Sequence, residues 1–395
     1  MRPREAMRRR ALVVSNLLPT PASPNRGTFN RQHYCALSEH FDTRFICPIA
    51  WTDALKSRSS ASSSDNGGLD ISYVNYLFPP RILRQHYGWF LWQSMRKKAL
   101  DIARQFQPDI IVGSWGYPDG FAAVELAEKL SLPSAVQVLG SDINQLDIFP
   151  ERAEPTWRTL MRADHVIPVS RALEAKLIAG GVPEERVSVV YRGINRELFY
   201  PRDQREARQS IGIDPTETSL LFIGNLVSVK SVTTFLSAFA SLSRNRTAPV
   251  RAHIVGDGPL RGALEQQAQR EGISGQVSFH GSLPHAQMPL WIAASDLVVL
   301  PSLHEGVPNV LLEAMACERR YVASRTGGIP EISNHSGCQL FTPCDAPGMT
   351  EAIQMMLNSS HAPSIANVPS ASWEEAGNKL AAVLNRCIDQ RIQKL

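Results

Sequence analysis

The chain has 395 residues, 43% of them hydrophobic and 20% charged, with a formal net charge of +4. This is long enough for two domains with full cores and ordinary for a soluble globular protein. So modest a charge gives no footprint for nucleic acid, and no apolar run approaches the ~20 residues of a membrane-spanning helix.

In chain order, residues 1–9 read as a disordered basic lead-in, with Met7 a second candidate start beside Met1. Short β-branched runs then alternate with helix-length segments. Strands are predicted at Ala11–Ser15, Arg44–Pro48, Ile71–Val74, Asp109–Gly113, Ala135–Leu139, His165–Val169 and Val187–Tyr191. A second set follows at Leu220–Gly224, Ala252–Gly256, Val277–Gly281, Asp296–Leu300 and Tyr321–Ser324. Helices are expected at Phe121–Leu130, Ala172–Ala179, Val232–Ser241, Leu260–Glu271 and Asn309–Cys317. Alternation of this kind predicts parallel sheets covered by helices on both faces. Two sets predict two doubly wound α/β domains, at 10–195 and 219–371, facing a cleft at their strand C-terminal ends. The polar stretch 196–218 reads as the linker, Lys56–Gly68 as a mobile Ser-rich loop, and 372–395 as an amphipathic helix packing back on the body.

The segment Arg81–Phe106 combines a core stripe (Trp92, Met95, Ala99, Ile102, Ala103, Phe106) with Tyr87, Trp89 and Phe90 among basic residues. Aromatics beside cations suit an anionic membrane surface, and a basic surface helix on an enzyme suits the same pattern. The six cysteines are scattered without a Cys-x-x-Cys pair, so reduced cytosolic thiols are expected, and neither a metal nor a cofactor. The expected location is the cytoplasm, with peripheral contact through 81–98 at the inner face of the plasma membrane.

Chemistry concentrates in the run His304-Glu-Gly-Val-Pro-Asn-Val-Leu-Leu-Glu-Ala-Met-Ala316. Pro308 is expected to open a helix, placing Glu305 on the preceding loop and Glu313 among apolar neighbours. A helix N-terminus attracts anions, whereas a carboxylate on either side repels them unless each holds hydroxyls. That pattern fits a ligand with phosphates in the middle and a sugar at each end. Lys230, in Phe222-Ile-Gly-Asn-Leu-Val-Ser-Val-Lys-Ser231, stands before a helix expected to be capped by Ser231, where a cation is unfavourable without an anion. Gly27 follows the first strand and can let backbone approach phosphate. Asp142 and Asn144, in Leu139-Gly-Ser-Asp-Ile-Asn144, end a strand and either bind hydroxyls or form an Asx turn or cap. Val255-Gly-Asp-Gly-Pro-Leu260 reads as a tight turn before a helix.

Together these segments, with Ala323-Ser-Arg-Thr-Gly-Gly-Ile-Pro-Glu331 and Trp115-Gly-Tyr-Pro-Asp-Gly120, resemble glycosyltransferase family 4, the retaining nucleotide-sugar enzymes of GT-B fold, over nearly the whole chain. The nearest flavour is that of bacterial exopolysaccharide or teichuronic-acid-type transferases. The resemblance implies two Rossmann-like domains, the first on the acceptor side and the second binding the donor, a UDP- or GDP-sugar. The implied acceptor is a glycan or lipid-linked glycan. Glu305 would hold donor-sugar hydroxyls and Glu313 the ribose. Gly306, Pro308, Asn309 and Val310 would lie against sugar and diphosphate, with Asn225 beside them. Lys230 would stabilise the leaving diphosphate, and Gly27 would let the first loop close over it. No Asp-x-Asp motif is present, as in a metal-independent enzyme of this fold.

Four departures stand out. Leu139 replaces a His that contacts donor sugar in many members, Asn225 replaces an Arg, Ser231 a Gly, and Glu318-Arg-Arg-Tyr321 a Gly-x-Pro-Val turn. Leu139 and Asn225 keep open a second reading, a catalytically degenerate paralogue that binds nucleotide-sugar or partners another transferase. A sugar-nucleotide epimerase is a third, for which the sequence offers no paired acid and base.

Overall fold

The computed structural model of the chain describes residues 8–21, 23, 26–56, 68–246, 248–359 and 372–393. It divides into two compact units, one formed by 1–193 with 373–395 and the other by 194–372. Apart from Gly68 and the backbone of Lys56, the expected Ser-rich loop lies outside the described residues, as do residues 1–7 of the lead-in. Arg9 is docked: its guanidinium donates to Asn385 Oδ1 at 2.9 Å and pairs with Asp389.

The first unit carries β1 (Arg10–Val14), β2 (Asp42–Ala50), β3 (Ile71–Tyr76), β4 (Ile110–Ser114), β5 (Ser134–Val138) and β6 (His165–Pro168). They form one parallel sheet of order β3-β2-β1-β4-β5-β6. The chain winds outward from β1 in one direction, then returns to lay β4 on its other side, so the winding reverses between β1 and β4. β4 and β5 are buried along their whole length, as expected of a sheet covered on both faces.

The predicted strand Val187–Tyr191 is not one. It meets β6 through a single bridge, Val166 to Val187, and the amides of Ser188 and Val190 donate to Val166 and Pro168. Pro168 has no N–H to return, so the ladder stops.

Helix Thr28–Ser38 covers one face of this sheet, and helix Trp373–Ile392 lies across it. Leu380, Leu384 and Ile388 share a core cluster with Tyr34, Leu37 and Phe41. The crossing is close: a Cβ on Gly377 would stand 2.8 Å from the Ala36 Cβ and carbonyl oxygen. Helix Tyr87–Phe106 buries Leu91, Trp92, Met95, Ala99 and Ala103, largely the predicted stripe.

The second unit carries β7 (Thr218–Ile223), β8 (Val250–Val255), β9 (Val277–Gly281), β10 (Leu297–Leu300), β11 (Tyr321–Ser324) and β12 (Cys338–Phe341). Its parallel sheet has the order β12-β11-β10-β7-β8-β9, and the winding reverses between β7 and β10. The expected linker is a packed part of this unit. Within it, helix Gln204–Ile211 starts at Asp203, whose side chain accepts from the Glu206 amide, and ends at Gly212 with φ 73°. Its Arg208 is buried, donating to the Ala294 carbonyl at 2.9 Å and pairing with Asp296 at 2.7 Å.

None of the six cysteines is in a disulfide. Among the described residues no helix is long and apolar enough to cross a membrane, and no His, Cys, Asp or Glu cluster could hold a metal.

Candidate functional site

In open α/β sheets, ligands bind beyond the strand C-termini where the winding reverses. In the second unit that point is flanked by the loops after β7 and β10, which carry Lys230 and Glu305. The Lys230 ammonium lies 2.5 Å from Glu305 Oε1. The loops are also tied by backbone, Leu303 N–H donating to the Val229 carbonyl at 2.8 Å. Lys230 stands in a short 3-10 turn, Ser228–Lys230, and Ser231 follows in the left-handed region without capping the next helix through its side chain. Ser231 thus holds the expected cap position, but it is its carbonyl and not its hydroxyl that accepts, from the Thr234 amide at 3.0 Å. Glu305 supplies the negative charge that offsets Lys230.

Glycines set the spacing of these loops. A Cβ on Gly256 (φ 137°) would meet the Gly224 carbonyl oxygen at 1.9 Å, and one on Gly258 would meet that of Leu226 at 2.5 Å. The Gly-Asp-Gly turn after β8 is thus a support pressed beneath the Lys230 loop. Asn225 is exposed on that loop. Gly328 N–H donates to the Gly306 carbonyl at 2.8 Å, and Thr326 Oγ1 to that of Leu303 at 2.8 Å, so the loop after β11 fixes the loop carrying Glu305.

Pro308 is not the first helical residue but the one before it, extended at φ −75° and ψ 122°, and the helix runs Asn309–Ala316. Its first N–H groups, at Asn309 and Val310, have no acceptor within the helix. The Asn309 Oδ1 is buried without a hydrogen bond. Glu313 is 4% exposed. The partner that such a carboxylate demands is His285, whose Nε2 is 2.9 Å from Oε1. The imidazole follows Pro284 in the loop after β9 and lies 5.3 Å from the Phe199 ring. No signal in the sequence points to His285, a loop histidine at no recognisable spacing from Glu313. The arrangement offers a cation, a carboxylate, free amides and a buried second carboxylate within one group of loops. It can hold an anion between two sets of hydroxyls.

In the first unit, Gly27 (φ 63°) precedes helix Thr28–Ser38, and a Cβ there would meet the Leu17 carbonyl oxygen at 2.1 Å. Its glycine is required by that contact. Asp142 does not hang free to bind hydroxyls. Its carboxylate accepts from the amides of Gly116 at 3.0 Å, Leu139 at 3.0 Å and Gly140 at 2.8 Å, and burial pushes its pKa up. Asn144 accepts from Lys176 Nζ at 2.7 Å. The carboxylate accepts from amides that precede it, so it makes neither an Asx turn nor a helix cap, and it binds the loops after β4 and β5 together. Leu139 packs against the core. Where the winding reverses in this unit, Asp119 is fully buried, accepts from the Asn16 amide at 2.6 Å and side chain at 3.1 Å, and is pushed up to about 7 by burial. The sequence marked the Trp115–Gly120 phrase but not this pairing.

Residues 49–198 match the model of Glycosyltransferase Family 4, and residues 217–359 match that of glycosyl transferases group 1. Over 360 residues, 87% of each chain, the protein is 30% identical to the proposed teichuronic acid biosynthesis glycosyltransferase TuaC of Bacillus subtilis (strain 168). The chain belongs to the family 4 glycosyltransferases. N-acetyl-alpha-D-glucosaminyl L-malate synthase of Bacillus anthracis is 28% identical over 251 residues, 61% of this chain and 63% of that one. Among solved structures, sucrose-phosphate synthase of Thermosynechococcus elongatus superposes with a TM-score of 0.74 at 18% identity, covering 98% of both chains. HepE of Anabaena, solved with UDP-glucose, superposes at 0.71 and 19% identity, covering 98% of this chain and 100% of that one. These glycosyltransferase folds are GT-B, two Rossmann-like domains.

Proposed function

We propose that this glycosyltransferase moves a sugar, with retained anomeric configuration, from a UDP- or GDP-sugar to a glycan or lipid-linked glycan acceptor in cell-surface polysaccharide synthesis. The observation that carries the reading is the Lys230–Glu305 pair at the reversal point of the second sheet. Lys230 meets the negative charge that grows on the diphosphate as the C1–O bond breaks. Glu305 holds donor-sugar hydroxyls, and Gly306 to Val310 present backbone to sugar and diphosphate. The acceptor oxygen enters on the face the phosphate leaves, and its proton passes to a phosphate oxygen. Glu313 takes the ribose hydroxyls on the oxygen that His285 does not occupy. HepE, solved with UDP-glucose, and the polysaccharide relative TuaC support donor and setting.

Glycosyl release from a panel of UDP-, GDP- and dTDP-sugars tests this. Tight nucleotide binding with no turnover and no donor hydrolysis would select the degenerate paralogue, which the departures at Leu139 and Asn225 favour. Interconversion of the donor without acceptor would select the epimerase. Glu313→Ala is expected to weaken UDP binding by about 1–3 kcal/mol, as ribose hydrogen bonds are lost. His285→Ala should weaken it less, because the carboxylate remains. Calorimetric titration of both variants checks the order.

We further propose that the face around 77–98 rests on an anionic bilayer, where a lipid-linked acceptor would be presented. Among the described residues ten large hydrophobic side chains are exposed, and four of them, Leu77, Ile82, Leu83 and Trp89, fall in this segment. Ile148 joins the others through its neighbour Phe149, whose ring lies 5.2 Å from the Arg84 guanidinium. Between residues 71 and 100 the chain has five Lys or Arg and no Asp or Glu, so the exposed apolar residues share their segment with positive charge alone. The protein should co-sediment with phosphatidylglycerol vesicles, less so as salt rises, and not with phosphatidylcholine alone. Ile82→Ser with Leu83→Ser should abolish co-sedimentation while UDP binding persists; unchanged sedimentation of this variant would refute the placement.

A further inference from the structure

One cation in the first unit is held by neutral groups alone. Arg192 Nη2 donates to Asn30 Oδ1 at 2.5 Å, and among the described residues this is its only hydrogen bond, with no carboxylate in salt-bridge range. A guanidinium has five N–H donors, so most of its capacity is unused. The side chain is half-buried, and burial lowers its pKa to about 10.

Behind Arg192 stands a chain of buried polar groups. Asn30 Nδ2 donates to Ser114 Oγ at 3.2 Å, and Ser114 in turn bonds Tyr34. Tyr34 donates to Gln137 Oε1 at 2.5 Å, and Gln137 Nε2 lies 3.0 Å from His33 Nε2. All five are nearly inaccessible to solvent, and His33 Nδ1 has no partner. Burial, then the charge of Arg192, lowers His33 to about 3, so its ring is neutral near pH 7. Asp142 acts on Arg192 through space, but its oxygens are occupied by the amides of Gly116, Leu139 and Gly140. A buried network of this length is costly unless satisfied, and once satisfied it fixes one geometry. Here it fixes the orientation of a guanidinium that, among the described residues, has no carboxylate in salt-bridge range.

The place is also that of a ligand. Ser114 ends β4, Gln137 is the penultimate residue of β5, and Asn30 lies in the first turn of the helix after β1. The guanidinium thus sits at the C-terminal edge of the first sheet, near the reversal between β1 and β4.

We infer that Arg192 is the seat of an anionic group, a phosphate or carboxylate, on the acceptor. The inference rests on the reading that the first unit receives the acceptor, and it deepens it: the acceptor is an anion. The planar fork of Arg suits bidentate capture of either group.

The test follows thermal unfolding of the full chain with saturating UDP, so that the nucleotide site is filled, while inorganic phosphate is added at constant ionic strength. Phosphate should raise the unfolding temperature of the wild type by mass action. The shift should vanish in Arg192→Gln and shrink in Asn30→Ala, which frees the fork from its anchor, while the shift given by UDP alone stays equal in all three. An equal phosphate shift in Arg192→Gln, or none in the wild type, overturns the assignment. Should Arg192→Gln fail to unfold cooperatively, Arg192→Lys replaces it, keeping the charge and losing the fork; a weaker shift supports the assignment and an unchanged one overturns it. If UDP itself gives no shift, the nucleotide-sugar reading fails, and the phosphate series still reports on Arg192. Glucuronic acid and an alkyl phosphate, added separately, distinguish a sugar carboxylate from a lipid phosphate as the source of the anion.

Discussion

Lys230→Ala is expected to lower kcat by about 10²–10³-fold with little change in the KM for donor, the loss typical of one preorganised group at a developing oxyanion. Its ammonium stands 2.5 Å from Glu305 in a place where only 23% and 13% of the two side chains are exposed. Before donor arrives, each charge neutralises the other. When a diphosphate enters, it competes for the ammonium, and the attraction strengthens as the sugar–phosphate bond breaks. A contact that grows along the reaction appears in kcat, whereas one equal in both states appears in KM. Removing Lys230 also leaves Glu305 partly buried without its cation, so the variant should melt at a lower temperature. Lys230→Ala with Glu305→Gln should recover part of that loss and none of the turnover. Initial rates across donor concentrations, with melting curves of the three proteins, check both halves. A kcat within threefold of wild type would remove Lys230 from the chemistry.

Gly327→Ala should be among the most damaging changes of a single methyl group in the second unit, and the one that bears directly on Glu305. Gly327 has φ 53°, and a Cβ there would lie 1.9 Å from the carbonyl oxygen of Glu305. Both atoms are tied to backbone, so no side-chain rotation relieves the clash. The peptide after Glu305 must move by about 1 Å or more, against the hydrogen bond from Gly328 to Gly306. Displacements of that size cost on the order of 10²-fold in rate when they misplace a reacting group. Left-handed backbone adds roughly 1–2 kcal/mol of strain. Gly272→Ala is the matched control: its φ is 73° and nothing lies within 4 Å of the added methyl. It should lose about 1 kcal/mol and no activity. If both variants lost activity alike, strain and not the pressure on Glu305 would be the cause.

Much of the fold was legible because strands buried on both faces are short, β-branched and regularly spaced. Two exceptions have physical reasons. Val187–Tyr191 has the alternation of a strand, but Pro168 on its neighbour cannot donate to it. Cys338–Phe341 carries little strand signal because β12 is a four-residue edge strand beside β11, with Gln339 among its few residues. The site was legible where function sits in one local stretch, as from Glu305 to Glu313. Contacts closed by the fold were not. His285 reaches Glu313 across 28 positions and Arg192 reaches Asn30 across 162. Asp142 and Asn144 carried an ambiguity that residue type cannot resolve, since the same side chains make turns and bind sugars.

The helix Trp373–Ile392 belongs to the first unit although the whole second unit precedes it in the chain. During synthesis the second unit, continuous from 194 to 372, is complete before the first. Until that helix leaves the ribosome, Tyr34, Leu37 and Phe41 lack the Leu380, Leu384 and Ile388 that cover them. The half that emerges first is therefore the half that finishes last. A chain that stops before position 373 loses the cover of its first sheet while its second keeps every strand.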